Sequence, residues 1–364
     1  MTARLFRPLL LRGMRMPNRI AVAPMCQYSA QAGVPGDWHL MHLGHLALGG
    51  AGLVIVEATG VEPEGRITPA CTGLYSDECE AGFARILAFL RTVTAAPVAI
   101  QLSHSGRKGS TRPPWEGGGP LGEAEGAWQT EAPSPLPYLP GWQPPRALDE
   151  AGLSRIRAAF ADAATRAARA GFDMIELHCA HGYLIHQFLS PLTNRRPDAW
   201  GRDRMRFPLE LFAAVRAAFP ADRPVTARIS ATDWIEGGAT LADAIRFAHA
   251  LREAGCDMVH VTSGGLSQDQ RITTGPGYQT GFAAAIRAAT GMPVMAVGQI
   301  TEPVQAETIL ASGQADAVAL ARAMLWDPRW VWKAALALDA EIALPPPYAR
   351  ANPALRARPF VTRS

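Results

Sequence analysis

Short apolar runs, many of them rich in β-branched residues, recur along the chain with amphipathic stretches between them. Continuously apolar runs of this length are typical of parallel strands that are covered on both faces. The predicted strands are Ile20–Ala23, Leu53–Val56, Val98–Leu102, Met174–Leu177, Val225–Ile229, Met258–Val261, Val294–Val297 and Ala317–Leu320.

The stretches between these runs have the periodicity of helices, and several end at a glycine, as helix C-termini prefer. Regular alternation of strand and helix favours a closed (β/α)8 barrel, the TIM barrel, over an open doubly wound sheet. In such barrels the chemistry takes place at the C-terminal ends of the strands. The helices predicted in this way include Ser154–Ala170, Pro208–Phe219, Leu241–Ala254, Phe282–Thr290 and Pro303–Ser312.

Two segments depart from this alternation. Residues 110–145 are dense in Gly and Pro, which predicts an excursion after the third strand that caps the mouth of the barrel. Residues 344–364 begin with a run of prolines, and we predict an extended C-terminal arm that forms no further helix and leaves its own barrel. No second domain is needed, so residues 1–364 are predicted to form a single barrel domain.

Composition argues against several classes of protein. A net charge of +3 without a basic stripe argues against a nucleic-acid partner. No apolar run approaches the roughly 20 residues of a membrane span, and residues 1–20 do not resemble a secretory signal, so we expect a cytoplasmic protein without a membrane partner. The five cysteines lack paired CxxC spacing, which argues against a disulfide framework or a zinc site.

Two strand ends carry most of the reactive side chains. The segment Ala23–Tyr28 follows the first strand, and His178–Tyr183 follows the fourth. Because the C-terminal ends of barrel strands face one pocket, we expect these imidazole, thiol and phenol groups to lie together. Such a set can hold an electron-rich oxygen and donate a proton.

A His-x-x-His pair can also bind a metal. Here His178 and His181 lie in a predicted loop, a tyrosine follows, and no carboxylate completes a ligand set at short range, so no metal site is predicted. His39, His42 and His45 recur at intervals of three in a predicted helix. We interpret them as packing and polar positions of the first barrel helix.

Both strand-end segments, together with Gln101–Lys108 after the third strand, resemble the old yellow enzyme family of flavin-dependent ene-reductases. Cys26 and the His178/His181 pair fit its thermophilic-like or xenobiotic reductase branch. The resemblance implies a TIM barrel that binds one FMN non-covalently and takes electrons from NADPH or NADH. It implies an NADPH dehydrogenase of old yellow enzyme type, which reduces the activated C=C bond of α,β-unsaturated carbonyl or nitro compounds.

The resemblance also implies roles for single residues. His178 and His181 would hold the substrate oxygen with Tyr28 beside it, Tyr183 would supply the proton, and Cys26 would lie at the reactive edge of the flavin. In relatives a Gly precedes the phosphate-binding Arg, whereas Ala321 stands here. The residues implied in FMN binding are Pro24, Met25, Cys26, Ala58, Gln101, Arg228, Gly298, Ala321 and Arg322.

The thermophilic-like relatives imply a homodimer or homotetramer in which Arg350, or another residue of the tail that reaches Phe360, borders the substrate pocket of the partner. Two alternatives remain open: a dihydroorotate dehydrogenase-like flavin oxidoreductase and a non-enzymatic flavin-binding barrel. A Schiff-base aldolase is disfavoured because neither Lys108 nor Lys333 lies in a predicted strand.

Overall fold

Eight parallel strands close into a barrel in the order β10-β11-β12-β3-β4-β5-β8-β9, which confirms the predicted TIM barrel. The computed structural model describes residues 3–351. The barrel strands are β3 (Ile20–Val22), β4 (Leu53–Gly60), β5 (Val98–Ser103), β8 (Met174–Cys179), β9 (Val225–Ser230), β10 (Val259–Thr262), β11 (Val294–Ala296) and β12 (Ala317–Leu320).

Helices surround the barrel and cover the outward side chains of its strands. Helix α3 begins at Glu150, before the predicted start, because the Asp149 side chain accepts a hydrogen bond from the backbone N–H of Gly152 and caps the helix. Within residues 3–351, no helix is long and apolar enough to cross a membrane. The helices are α1 (Asp37–Leu48), α2 (Asp77–Val93), α3 (Glu150–Ala170), α4 (Leu184–Leu189), α5 (Ala199–Arg202), α6 (Arg206–Ala218), α7 (Leu241–Glu253), α8 (Thr280–Thr290), α9 (Pro303–Ala311), α10 (Arg322–Trp326) and α11 (Trp330–Ala337).

The barrel interior is apolar at its N-terminal end and polar at its C-terminal end. Met174, Met258 and Met295 fill the lower part. A hairpin of two short antiparallel strands, β1 (Leu9–Leu11) and β2 (Met14–Met16), closes the bottom and was not predicted from the sequence. Above the methionine layer lie four buried polar residues: Gln101, Glu176, Arg228 and His260. A polar layer is thus present where the strands end.

The excursion over residues 110–145 lies against the residues that follow the barrel strands. The Trp115 ring packs edge-on against Tyr28, with their centroids 5.7 Å apart. The buried Arg107 guanidinium donates to the carbonyl oxygens of Leu136 and Pro137. Two short paired strands, β6 (Glu131–Ala132) and β7 (Arg146–Ala147), join the end of this segment to the start of α3. The excursion therefore covers the mouth, where the sequence predicted it.

The prediction that no further helix follows was wrong for part of the C-terminal segment. Pro346–Ala351 form a 3-10 helix, because the fixed φ of proline suits the first turn of a helix. The Tyr348 ring packs against Trp332 of α11, with centroids 5.9 Å apart. Arg350 is exposed. Residues 352–364, which include Phe360, lie outside the described residues.

Candidate active site

Three aromatic rings meet where β8 ends. The His178 ring lies edge-on to both His181 and Tyr183, with centroids 5.2 and 4.9 Å away. The chain reverses sharply between them, since His181 and Gly182 have φ values of 57° and 72°. A non-glycine residue in this region stores strain, which is common at functional sites. The structure thus brings together the set predicted from the sequence.

Neighbouring groups hold this strained loop in place. The Gly182 N–H donates to His186 Nδ1 at 2.9 Å, and His186 Nε2 lies 2.8 Å from Asp233 Oδ1. The Gln187 amide donates to the Gly182 carbonyl at 2.7 Å. The sequence analysis missed these three supporting side chains. The sequence shows a third histidine after the motif, but the carboxylate that orients it comes from a loop far along the chain.

Both imidazoles are neutral at ordinary pH. Burial lowers the pKa of His178 and of His181 well below the usual value, and the nearby positive charges of Arg228 and Lys108 lower both further. His181 Nε2 lies 3.0 Å from the Thr262 hydroxyl oxygen. His178 Nδ1 is buried without a hydrogen-bond partner among residues 3–351. A free buried ring nitrogen is available for a ligand.

The thiol and phenol groups of the site are held in their protonated forms. Burial raises the pKa of Tyr183, and burial with the negative charge of Glu57 raises that of Cys26 well above the usual value. Burial likewise raises the pKa of Tyr28, whose hydroxyl contacts the Cys26 thiol. Cys26 is therefore a weak nucleophile here, since the thiolate is the reactive form.

Glu57 fixes the turn that follows β3. It is the extra residue of a β-bulge where β4 pairs with β5, and bulges beside active sites commonly redirect a side chain. Glu57 Oε2 accepts from the Gln27 N–H at 2.9 Å, directly after Cys26. His39 of α1 is buried with its Nε2 3.2 Å from Glu57 Oε1, although the two are not aligned for a good hydrogen bond. The sequence analysis did not single out Glu57.

The polar layer contains one positive charge, that of Arg228, which has no hydrogen-bond or ion-pair partner among residues 3–351. Gln101 donates to Glu176 Oε1 at 2.8 Å, and His260 Nδ1 lies 2.9 Å from Glu176 Oε2. Although burial opposes it, the interactions with His260 and with the Arg228 charge keep the pKa of Glu176 below its usual value. Arg228 itself is buried and has no hydrogen bond or ion pair to another of residues 3–351, its Nε included. An unpaired buried guanidinium is costly and points to a missing electron-rich ligand.

A cavity of about 480 Å³ reaches from Arg228 and His181 to the exposed Arg322. Gly298 lines it with φ 123°, and a Cβ at this position would lie 2.7 Å from the Gln279 amide nitrogen, so only glycine fits. Positive groups at both ends suit a ligand with an electron-rich ring at one end and a phosphate at the other. The residues present therefore fit FMN. Sequence analysis missed Tyr278 and Gln279, which the preceding Gly-Pro-Gly turn could have indicated.

The remaining predicted residues fall into two groups. Ala58 is buried and pairs with Gln101 across the β4–β5 ladder, and Ala321 lines the cavity directly before Arg322. Pro24 and Met25 are half-buried beside Cys26. The exposed Arg350, in contrast, has no recorded contact with these groups. Its predicted place at a partner's pocket remains a prediction.

One cluster of side chains has the composition of a metal site, but its carboxylates are already paired with an arginine. Within the part of the chain that the structure describes, the one close group of three or more such side chains is Glu62, His104 and Glu131. The Arg155 guanidinium forms ion pairs with both carboxylates. The cluster therefore joins the capping excursion to the barrel through an arginine.

Comparison with known proteins agrees with this geometry. The model of the NADH:flavin oxidoreductase / NADH oxidase family matches residues 4–341. The chain belongs to this family. An NADPH dehydrogenase of Geobacillus thermodenitrificans is 40% identical over 351 residues, covering 95% of this chain and 98% of the relative. An NADPH dehydrogenase of Bacillus subtilis is 38% identical over 355 residues, covering 96% and 99%.

A solved structure of morphinone reductase has a TM-score of 0.76 at 29% identity and covers 96% of this chain and 93% of its own. These matches confirm the resemblance to the old yellow enzyme family and an oxidoreductase of that type. They also confirm FMN as the cofactor with NADPH or NADH as the reductant. They give no support to the dihydroorotate dehydrogenase-like or non-enzymatic alternatives.

Proposed function

We propose that this oxidoreductase reduces the activated C=C bond of α,β-unsaturated carbonyl or nitro compounds in two alternating half-reactions. The observation that carries the proposal is the convergence of His178, His181 and Tyr183 beside the cavity that Arg228 lines. Two neutral imidazoles and a protonated phenol are the groups needed to hold an oxygen and deliver a proton.

His178 and His181 bind the activating oxygen of the substrate. Because both rings are neutral, each presents one N–H, and a hydrogen bond to the carbonyl or nitro oxygen withdraws electron density from the conjugated carbons. His181 can accept from the Thr262 hydroxyl through Nε2, which leaves its Nδ1–H free for the substrate. Tyr28 would lie beside the substrate oxygen. Its hydroxyl is close to the Cys26 thiol, and its ring packs against Trp115 of the capping excursion.

Tyr183 donates its phenolic proton to the α-carbon. The raised pKa of Tyr183 keeps the phenol protonated until the substrate carbon becomes basic. When bound, FMN supplies the hydride that it has taken from the nicotinamide. Arg228, Gln101 and the cavity to Arg322 would hold it, with Pro24, Met25, Cys26 and Ala58 beside the ring and Gly298 and Ala321 near the phosphate.

The direct test is turnover of a panel of cyclic enones, maleimides and nitroalkenes by the FMN-loaded protein under anaerobic conditions. We expect stoichiometric loss of NADPH or NADH and formation of the saturated product, with ping-pong kinetics because both reactants use one pocket. A protein that oxidises the nicotinamide but leaves every C=C bond intact would contradict the proposal.

We further propose a homodimer or a homotetramer in which Arg350 borders the partner's pocket. Large apolar side chains are exposed on α10 and α11, with Trp326 at 92% and Leu336 at 52% exposure. The C-terminal segment packs against α11 through Tyr348. A surface of this kind, beside the tail, suits a contact with a second copy of the chain.

A further inference from the structure

The Lys108 ammonium occupies a cage directly beside Tyr183. Nζ donates to the carbonyl oxygens of His181 and Gly265 at 2.8 and 2.9 Å. The same nitrogen lies 5.0 Å from the centroid of the Tyr183 ring and 4.9 Å from that of Tyr138. Two carbonyls and two aromatic faces thus surround the charge.

No carboxylate of residues 3–351 forms an ion pair with Lys108, and keeping an unpaired charge in a half-buried place is costly. Burial, together with the charge of Arg107, lowers the pKa of Lys108 to about 8. A neutral donor would bridge the carbonyls of His181 and Gly265 at less cost. The position of a positive charge over the Tyr183 ring therefore calls for a role of its own.

We infer that Lys108 is a positioning residue for Tyr183: it fixes the loop that carries the phenol and stabilises the phenolate left after proton donation. The inference rests on the proposed ene-reductase function. In the step, the Tyr183 O–H bond breaks, its proton joins the substrate α-carbon, and its electron pair stays on the phenol oxygen. The phenolate then regains a proton from solvent.

The effect of Lys108 grows as the proton leaves. A cation interacts modestly with the face of a neutral phenol and much more strongly with a phenolate, so its stabilisation is larger in the transition state than in the ground state. The groups facing Lys108 are Tyr138 from the capping excursion, the neutral histidines and Tyr183 from the β8 loop, and Arg107 from its own turn. Arg107 is a second cation, so none of them supplies a competing negative charge.

A double-mutant cycle tests this coupling. In the FMN-loaded protein, Lys108→Gln keeps a donor for a backbone carbonyl but removes the charge, and we expect it to slow the oxidative half-reaction with enones about 10–100-fold. In a Tyr183→Phe background the same change should slow the reaction less than about twofold, because its target is gone. Lys108→Met is the second neutral variant if Lys108→Gln folds poorly. Lys108→Arg should restore most of the rate.

Two controls separate charge from structure. Lys333→Gln removes an exposed lysine paired with Asp327 and should leave both half-reactions unchanged. Reoxidation of the reduced protein by dioxygen transfers no proton from Tyr183 to carbon, so Lys108→Gln should leave its rate unchanged. Equal slowing of reduction by NADPH, reoxidation by dioxygen and enone reduction would overturn the inference in favour of a structural role.

A second measurement does not depend on activity. A polyfluorinated tyrosine at position 183, chosen so that its phenol ionises at a pH where Lys108 is still charged, can be followed by fluorine NMR. Lys108→Gln should raise its pKa by about one unit, because a stabilising positive charge is lost. An unchanged pKa, or additive rate losses in the cycle, would overturn the inference while enone turnover by the unaltered protein persists. Absence of that turnover would overturn the inference and the proposed function together.

Discussion

Single residues of the site work against their surroundings. Tyr183, the proposed proton donor, would release a proton where burial raises its pKa, and Arg228 keeps a buried charge without a hydrogen-bond or ion-pair partner among residues 3–351. Such groups are unfavourable for the folding of the protein alone, and their contribution appears when a ligand is bound. Changes at these positions should therefore separate ligand effects from stability.

Replacing Tyr183 with Phe removes the proposed proton donor and keeps the ring. We expect reduction by NADPH to change less than about threefold, whereas the oxidative half-reaction with simple enones slows about 10²–10⁴-fold, the usual contribution of a positioned acid. Stopped-flow absorbance of the flavin measures both halves. Tyr75→Phe, which removes a hydroxyl bonded to the Ala32 carbonyl, is the matched control. Equal slowing of both halves would show that Tyr183 only shapes the pocket.

Arg228→Met should weaken FMN binding and raise the thermal stability of the protein without FMN. Loss of the charge removes a partner for the electron-rich edge of the ring, which we expect to raise the Kd for FMN about 10–100-fold. The apoprotein no longer buries an unpaired charge, so its melting temperature should rise. Fluorescence of released FMN and calorimetry measure the two effects. Arg246→Met on α7 is the control. A lower melting temperature of the Arg228→Met apoprotein would contradict the expectation and argue that the Arg228 charge stabilises the fold without FMN.

Sequence alone singled out the residues that we propose to act on the substrate, but it did not single out the side chains that support them. The His178–Tyr183 segment is a compact motif, so its chemistry is visible in one stretch. Lys108, Glu57 and Glu176 depend on partners from other strands. Glu176 offered one signal, a carboxylate within an apolar strand, but the buried amide and imidazole that satisfy it become neighbours only when the barrel closes.

At the scale of elements, the loops after β8 and β10 pack so closely that the conformation of each depends on the other. A Cβ on Gly265, whose φ is 89°, would lie 2.5 Å from the His181 Cα. Backbone atoms cannot yield as a flexible side chain can, so glycine at this position allows the two loops to meet. Lys108 then joins them through both carbonyls.

Gly265→Ala should displace the imidazole pair. We expect weaker binding of phenolate ligands by about 10-fold or more and a loss of about 1–3 kcal/mol in the free energy of unfolding, because the variant adds both strain and a clash. Spectral titration with a phenol and denaturant unfolding measure these effects. Gly275→Ala is the matched control, since a Cβ there meets nothing within 4 Å. Unchanged phenol binding in Gly265→Ala would contradict the coupling of the loops.

Strands were predicted correctly where the apolar run was long and were missed where it was short. Runs such as Val98–Leu102 and Val225–Ile229 lie inside the observed strands, because strands covered on both faces are apolar throughout. The hairpin of Leu9–Leu11 and Met14–Met16 was missed because each strand is only three residues long. Such strands are stable only through packing against the bottom of the barrel, which local sequence does not report.

At the scale of the whole molecule, buried neutral histidines should make the protein sensitive to mild acid. Burial lowers the pKa of His42, His178, His181 and His260 below the usual value of 6.5, that of His42 to about 4. The unfolded chain therefore binds more protons below that pH, and the stability present above it is lost as the pH falls towards the folded-state values.

Denaturant unfolding of the FMN-loaded protein between pH 7.5 and 5 checks this expectation. The free energy of unfolding should fall by up to about 1.4 kcal/mol per pH unit for each extra proton that the unfolded state binds. His42→Gln, on the barrel exterior, should remove part of this slope without affecting the site. A free energy that stays constant down to pH 5 would contradict the neutral state of these imidazoles.

The assembly is tested more sharply by a single substitution at Arg350 than by truncating the C-terminal segment. Removing every residue after Pro347 would also remove Tyr348, whose ring packs on Trp332 within its own barrel, so a loss of activity would have two causes. Arg350→Ala keeps that packing and removes an exposed side chain with no recorded partner. In a dimer that places Arg350 at the partner's pocket, it should raise the KM for enones about 3–30-fold with kcat and thermal stability unchanged.

Tyr348→Ala should do the converse and lower stability through lost packing. Sedimentation of Trp326→Ser, which replaces the most exposed large apolar side chain of residues 3–351, should show a weakened dimer if α10 contributes to the contact. Because the shared pocket needs both copies, the KM of Trp326→Ser should rise on dilution while that of Arg350→Ala should not. A protein that sediments as a monomer with unaltered kinetics at every concentration would show that each barrel completes its own site, and that Arg350 serves neither function.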